Sequence, residues 1–381
     1  MEQMKRMENR FDIEQELNVL SRIPRRRLLM LLAAAGAQAV LSKRSLAQLA
    51  KPAPHVEDGW IDVHHHSSPP AYADVLMQKK LLPKPLTGWT LEKTIADMDE
   101  AGVATAMNSI VAPGVWFGDA EQARHLAREC NEYGAKLVAD YPGRFGNFAT
   151  LTLPDIDGSL NEIAYAFDTL KADGIMLFTS YGDKWLGDPF FDPVFEELNR
   201  RKAVVFTHPT TNACCANLLP DISSAEIEYG TDTTRAIVRM VYSGSAKRYP
   251  DIRMIFSHGG GTMPYLIGRF VGRVSRGSAA RDQHDFQAEI GRFYYDTAQT
   301  FNAVPMTALK QVVPISQILF GTDYPYRPSL ENTNGLTASK AFDAEQLQAV
   351  KRGNALQILP RLKLGDLHSA VSGLVDSARQ G

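Results

Sequence analysis

Short apolar runs, several of them ending in polar or ionisable residues, alternate along the chain with stretches of helical period. Trp60–His66 begins the series, and its four largely apolar residues run straight into three histidines. Further strands are expected at Ala104–Val111, Phe145–Leu153, Gly174–Phe178, Ala203–Thr207, Ile252–Ser257, Phe293–Asp296 and Ile318–Thr322. Helices are expected between them at Thr90–Ala101, Asp119–Tyr141, Gly158–Leu170, Pro193–Arg201, Thr231–Ser243, Met263–Val274, Val304–Val312 and Ala344–Ile358. Leu91, Ile95 and Met98 set the period of the first helix, and Gly102 stops it. A Pro-rich loop with a short helical stretch fills Ser67–Gly88, and a polar irregular stretch fills Arg276–Glu289. Strands alternating with helices predict parallel βαβ units, and eight of them predict a closed (β/α)8 TIM barrel. No glycine-rich dinucleotide fingerprint follows any strand, which argues against a Rossmann fold.

The beginning of the chain breaks this pattern. Arg25, Arg26 and Arg27 precede the uncharged run Leu28–Leu41, and Ser45-Leu46-Ala47 follows. A basic segment, a short apolar segment and a small-residue exit predict a signal peptide over residues 1–47. The arginines before Leu28-Leu29, with Lys43 and Arg44 behind, resemble a twin-arginine (Tat) signal, although Pro24 stands where Ser or Thr is commoner. The implied partner is the Tat export machinery, and the implied location is periplasmic or exported. The apolar run is too short for a comfortable membrane span, so no stable span is expected after cleavage. The expected divisions are a signal at 1–47, a linker at 48–57, the barrel at 58–362 and a tail at 363–381.

Composition changes the picture little. The 381 residues are 44% hydrophobic and 22% charged with a net charge of −2, which leaves no nucleic-acid footprint. Three cysteines, Cys130, Cys214 and Cys215, give no disulfide framework and read as structural.

The chemistry lies in where the ionisable residues fall. His64, His66, His208 and His258 sit at or just after the C-terminal ends of expected strands one, five and six, and Asp323 sits likewise on strand eight. Alternate strand residues face one way, so His64 and His66 point together and His65 points away. Singly, each has an ordinary reading as a hydrogen-bonded loop or turn residue. Together, at the mouth of one barrel, imidazoles and a carboxylate make a mixed nitrogen and oxygen set suited to Zn²⁺, Mn²⁺ or Fe²⁺. The three glycines of His258-Gly259-Gly260-Gly261 allow close approach to a ligand, and a helix from Met263 would offer free N–H groups to an anion. A tight packing turn is the competing reading. Arg269, Trp116, Phe117, Tyr324 and Tyr326 are candidate substrate contacts, of which Trp116, Arg269 and Tyr326 are preferred.

The motifs Ile-Asp-Val-His64-His65-His66, Val-Val-Phe-Thr-His208-Pro209, Ser257-His258-Gly259-Gly260-Gly261 and Leu-Phe-Gly-Thr-Asp323-Tyr-Pro resemble the amidohydrolase superfamily. The resemblance is to the branch of aminocarboxymuconate-semialdehyde decarboxylase and related non-oxidative aromatic decarboxylases, and it covers residues 58–362. It implies His64, His66, His208 and Asp323 as metal ligands, with His258 beside them as acid or base. Asp323 is the second candidate proton carrier. Strand four, Gly174-Ile-Met-Leu-Phe, carries no lysine to bridge two metals, which favours one divalent ion, zinc first and manganese second. The implied activity is decarboxylation of a small aromatic acid, such as the hydroxybenzoate 6-methylsalicylate. The competing activity is hydrolysis of a lactone, ester or amide at the same site. A non-catalytic metal-binding protein is the remaining class. The branch also implies a homodimer.

Overall fold

Seven consecutive buried residues, Trp60–His66, form β1, and seven more strands follow it in a single sheet. They are β2 Val103–Ser109, β3 Phe145–Thr150, β4 Gly174–Phe178, β5 Val204–His208, β6 Arg253–Phe256, β7 Tyr294–Asp296 and β8 Ile318–Leu319. The computed structural model describes residues 58–271 and 285–363. The expected signal peptide and linker, the tail beyond Lys363, and most of the polar stretch before Glu289 lie outside these residues. All neighbours in the sheet pair in parallel and in sequence order.

The sheet closes on itself. Val63 N donates to Phe320 O at 3.0 Å, Asp323 N to His64 O at 2.8 Å and His66 N to Tyr324 O at 2.8 Å. The fold is therefore the (β/α)8 barrel that the alternation predicts. The principal helices are α1 Pro70–Gln78, α2 Leu91–Ala101, α3 Ala120–Asp140, α4 Ile156–Asp168, α5 Asp192–Arg200, α6 Ser224–Tyr242, α7 Ala303–Val312 and α8 Ser329–Ser339. Side-chain caps fix several boundaries: the Thr90, Asp119 and Asp155 side chains accept backbone N–H groups at the starts of α2, α3 and α4. Gly102, at φ 71°, ends α2. Among the described residues no helix is long and apolar enough to cross a membrane.

Strand alternation divides the apolar residues into two layers. Ile175, Leu177 and Val205 pack with Ile163 of α4 and Val194, Phe195 and Leu198 of α5. Met176, Phe148, Phe206 and Ile255 fall in a second cluster. Phe148 and Phe206 come from strands two apart yet stack at 5.6 Å, which places them inside the barrel. Phe206 also meets His64 edge-on at 4.9 Å. The interior is thus filled with side chains up to the level of the histidines.

Several expected elements differ, three of them near the mouth of the barrel. α6 begins at Ser224 rather than Thr231, because the Ser223 hydroxyl accepts from Ala225 N and supplies a start signal within a polar, low-contrast stretch. Of the helix expected over Met263–Val274, the described residues are turn as far as Leu266 and helical at Ile267–Val271. Gly259, Gly260 and Gly261 all have positive φ, which prevents a helix from starting there. A Cβ on Gly261 would lie 2.0 Å from Gly230 O of α6, so the turn packs closely on a neighbouring helix, and Gly261 also lines the cavity beside His258. β8 stops at Leu319, and the next residues turn their backbone groups to β1.

Candidate metal centre

β1 delivers two imidazoles to one point: His64 Nε2 and His66 Nε2 are 3.1 Å apart. His65 points away, stacking on Tyr324 at 4.8 Å with its Nδ1 on Asp62. His208, two residues beyond Phe206 on β5, and His258, just past β6, face the same point. The β8 loop brings Asp323 into it. The donor atoms of His64, His208, His258 and Asp323 fall within 4.8 Å of one another. His66 Nε2 stands 3.1 Å from Asp323 Oδ1. All five side chains are buried.

Hydrogen bonds fix which nitrogen each ligand presents. His64 Nδ1 lies 2.8 Å from the buried carboxylate of Asp296, which can only accept, so that nitrogen carries the hydrogen. His208 Nδ1 donates to Pro209 O at 2.8 Å. The Ser109 hydroxyl donates to His65 O at 3.2 Å, and so accepts from His66 Nδ1 at 3.0 Å. Three Nε2 lone pairs are left, 3.2, 3.1 and 4.0 Å from Asp323 Oδ1 for His64, His66 and His208. That buried oxygen has no hydrogen-bond donor of its own. Such lone pairs around an anionic oxygen call for positive charge among them, which a proton on His64 supplies in the metal-free site and a divalent metal supplies in its place, so the residues present fit a divalent metal.

The other oxygen of Asp323 faces a different environment. His258 Nε2 lies 3.2 Å from Oδ2, and the Gln299 side-chain amide donates to the same atom. His258 is therefore set apart from the three imidazoles that face Oδ1. Burial opposes charge on Asp323, but the charge of His64 and the closeness of His258 and His66 more than offset it, and the carboxyl is held well below its usual range. Burial holds His66 below, and His208 well below, the ordinary histidine value, the state a metal ligand requires.

Two carboxylates that the sequence did not single out support this centre. Asp296 accepts from His64 on one oxygen and, on the other, from His258 N at 2.9 Å and Ala298 N at 3.0 Å. Asp62 accepts from His64 N, His65 Nδ1, Thr322 N and Thr322 Oγ1. Asp296 was findable, because it ends β7 where the ligands end their own strands. Asp62 lies within a strand and carries no such signal. Asp296→Asn is expected to weaken metal affinity about 10–100-fold by loosening the imidazole orientation. Titrating a chelator against metal-loaded protein measures it.

A cavity of about 520 Å³ opens above these groups, lined among others by His208, His258, Asp323, Tyr229, Gln299 and Tyr326. Burial first, then Asp323, raises the pKa of both tyrosines, so their hydroxyls remain donors. Tyr326 is thus in the expected place. Trp116 instead lines a separate cavity with Phe178 and Tyr181. Phe117 packs under Lys79, and Tyr324 is turned onto His65. Arg269 is exposed on the short helix Ile267–Val271 and does not line the cavity above the metal site. The helix end that would have aimed it there does not form. Arg327, which the sequence reading passed over, does line that cavity. Cys130, Cys214 and Cys215 are free thiols, and none lines the cavity.

The family model described as Amidohydrolase matches residues 61–361. The decarboxylase macB of Penicillium terrestre is 36% identical over 326 residues, covering 80% of this chain and 96% of that protein. The 6-methylsalicylic acid decarboxylase of Penicillium expansum is 35% identical over 330 residues, covering 84% and 99%. Among solved structures, a dihydroxybenzoic acid decarboxylase from Polaromonas sp. JS666, with bound manganese and 2-nitroresorcinol, superposes with a TM-score of 0.73 at 20% identity. That match covers 81% of this chain and 99% of the other.

Proposed function

The chain belongs to the amidohydrolase family, and from that premise we propose that it is a metal-dependent, non-oxidative decarboxylase of a small ortho-hydroxybenzoate, 6-methylsalicylate first among them. The observation that carries this reading is the two-sided setting of Asp323. Oδ1 faces three imidazole lone pairs, while Oδ2 faces His258 at the floor of a cavity. His64, His66, His208 and Asp323 hold the metal in this proposal. When bound, a divalent ion there supplies positive charge that orients the substrate oxygens and offsets their negative charge.

The chain's own residues do the rest. His258 gives a proton to the ring carbon that bears the carboxylate. The bond from that carbon to the carboxyl group then breaks, its electron pair returns to the ring, and CO₂ leaves. Tyr229 and Tyr326, kept protonated, donate hydrogen bonds toward the cavity and help exclude water. Hydrolysis needs the same ligands, but the relatives named as decarboxylases favour carbon–carbon cleavage.

We also propose zinc as the resident metal, with manganese as the alternative. The proposal extends to a Tat-type signal at residues 1–47 that exports the protein, a linker at 48–57, a tail at 363–381 and a homodimer. The test uses protein beginning near residue 48: bound metal is quantified, then CO₂ release is followed from a panel of hydroxybenzoates. One metal per chain and CO₂ release, fastest from 6-methylsalicylate, is the expected result. Bound metal without CO₂ from any member overturns the decarboxylase reading.

A further inference from the structure

Three residues outside glycine take up left-handed backbone at the ends of β6, β7 and β8: His258 at φ 55°, Gln299 at φ 55° and Asp323 at φ 63°. Such backbone is costly for side chains other than glycine and persists where surrounding structure enforces it. His258 and Asp323 have places in the proposed reaction, and Gln299 does not. Yet Gln299 lines the same cavity, and its side chain reaches the carboxylate at the centre of the site.

The contact has a definite polarity. An ionised carboxylate only accepts, so the amide nitrogen of Gln299 must face Asp323 Oδ2 and donate to it. The other face of the residue is braced. The fully buried Asn332 of α8 accepts from Gln299 N at 3.4 Å through Oδ1 and donates to Thr322 O at 3.1 Å through Nδ2. One amide therefore ties the backbone of Gln299 to that of the residue before Asp323. Rotation of the Asp323 carboxylate about its own bond would carry Oδ1 away from the three imidazoles and Oδ2 away from His258. Within the described contacts, Gln299 is the neutral donor that opposes this rotation from the cavity side.

We propose that Gln299 is a positioning residue: it pins Asp323 Oδ2, so that Oδ1 stays turned to the metal ligands and Oδ2 to His258. This rests on the roles given above to Asp323 and His258. A hydrogen bond to a charged group sets the scale, about 10–100-fold in the quantity it governs.

Two variants separate positioning from folding. Gln299→Met keeps length and volume and removes the donor. Gln299→Gly removes the donor and also relieves the left-handed backbone, so it should fold at least as well. Three quantities are measured for each: the melting temperature, the dissociation constant for Mn²⁺ by chelator competition, and kcat with KM for CO₂ release. Both variants are expected to hold or raise the melting temperature and to bind Mn²⁺ about 10-fold more weakly. At saturating Mn²⁺, kcat should fall about 10–100-fold with KM within threefold of wild type. The proposal is overturned if Gln299→Met keeps Mn²⁺ affinity and kcat within twofold of wild type. It is equally overturned if its losses follow a fall in melting temperature and Gln299→Gly recovers both. Wild-type protein that binds no metal or releases no CO₂ instead refutes the reading of the site on which this inference stands.

Discussion

His258→Asn is expected to keep about one metal per chain and to lower kcat by about 10²–10⁴, the usual contribution of a well-placed general acid. The expectation follows from which oxygen His258 faces. The three imidazoles that converge on Asp323 Oδ1 are untouched by the change, whereas His258 Nε2 stands 3.2 Å from Oδ2. Its main-chain N–H on Asp296 also survives, so the loop keeps its place. Metal content by atomic absorption and single-turnover CO₂ release test the two halves separately. Loss of metal together with activity would make His258 a ligand, a role its proximity to His64, His208 and Asp323 allows. Undiminished turnover would remove it from the chemistry altogether.

Removing the metal is expected to abolish turnover and to lower stability, both reversed by adding it back. A ligand held at about 1,000 times its dissociation constant stabilises the folded state by about 4 kcal/mol. The effect should depend on pH through His64. Burial works against its charged form, but Asp296 and Asp323 on either side outweigh burial and raise its pKa to about 10 in the metal-free protein. The folded value then lies above the ordinary one of 6.5. The proton on His64 therefore contributes stability in full below about pH 6.5, and that contribution is lost as pH rises through about 10. Metal must displace the same proton. Metal affinity should thus fall about tenfold for each pH unit below 10, and uptake at neutral pH should release a proton. Melting curves with and without metal should diverge as pH is raised from 6.5 to 10. Uptake that releases no proton and has no pH dependence would contradict this account.

The barrel was legible because its signals are local. Eight apolar runs alternating with helical stretches set the strand count, and the shared position of His64, His66, His208, His258 and Asp323 at the ends of four of them marked the mouth. What the sequence did not disclose depends on direction or on distant contacts. Asp296 and Asp62 act through bonds to residues up to 260 positions away, and no spacing encodes them. Gln299 matters through a left-handed backbone that residues with a Cβ ordinarily avoid. Trp116 and Arg269 were placed by proximity in sequence to the right strands, but neither side chain lines the cavity over the metal site. In the second case the glycines after His258 replaced a helix start with turns.

The shortness of β8 has a consequence for how the molecule breathes. With only Ile318 and Leu319 in its ladder, this strand meets β1 mainly through Phe320, Thr322, Asp323 and Tyr324. The stave that completes the barrel is therefore fastened by the residues that carry the metal site. Bound metal acts as a clasp across the join, and its loss should let that join open before any other part of the sheet. Backbone amides of Val63, His66 and Asp323 should then exchange with deuterium faster in stripped protein, while those of β4 and β5 keep their protection. Metal supply would thereby set the lifetime of the folded chain as well as its turnover, because both depend on the same few bonds.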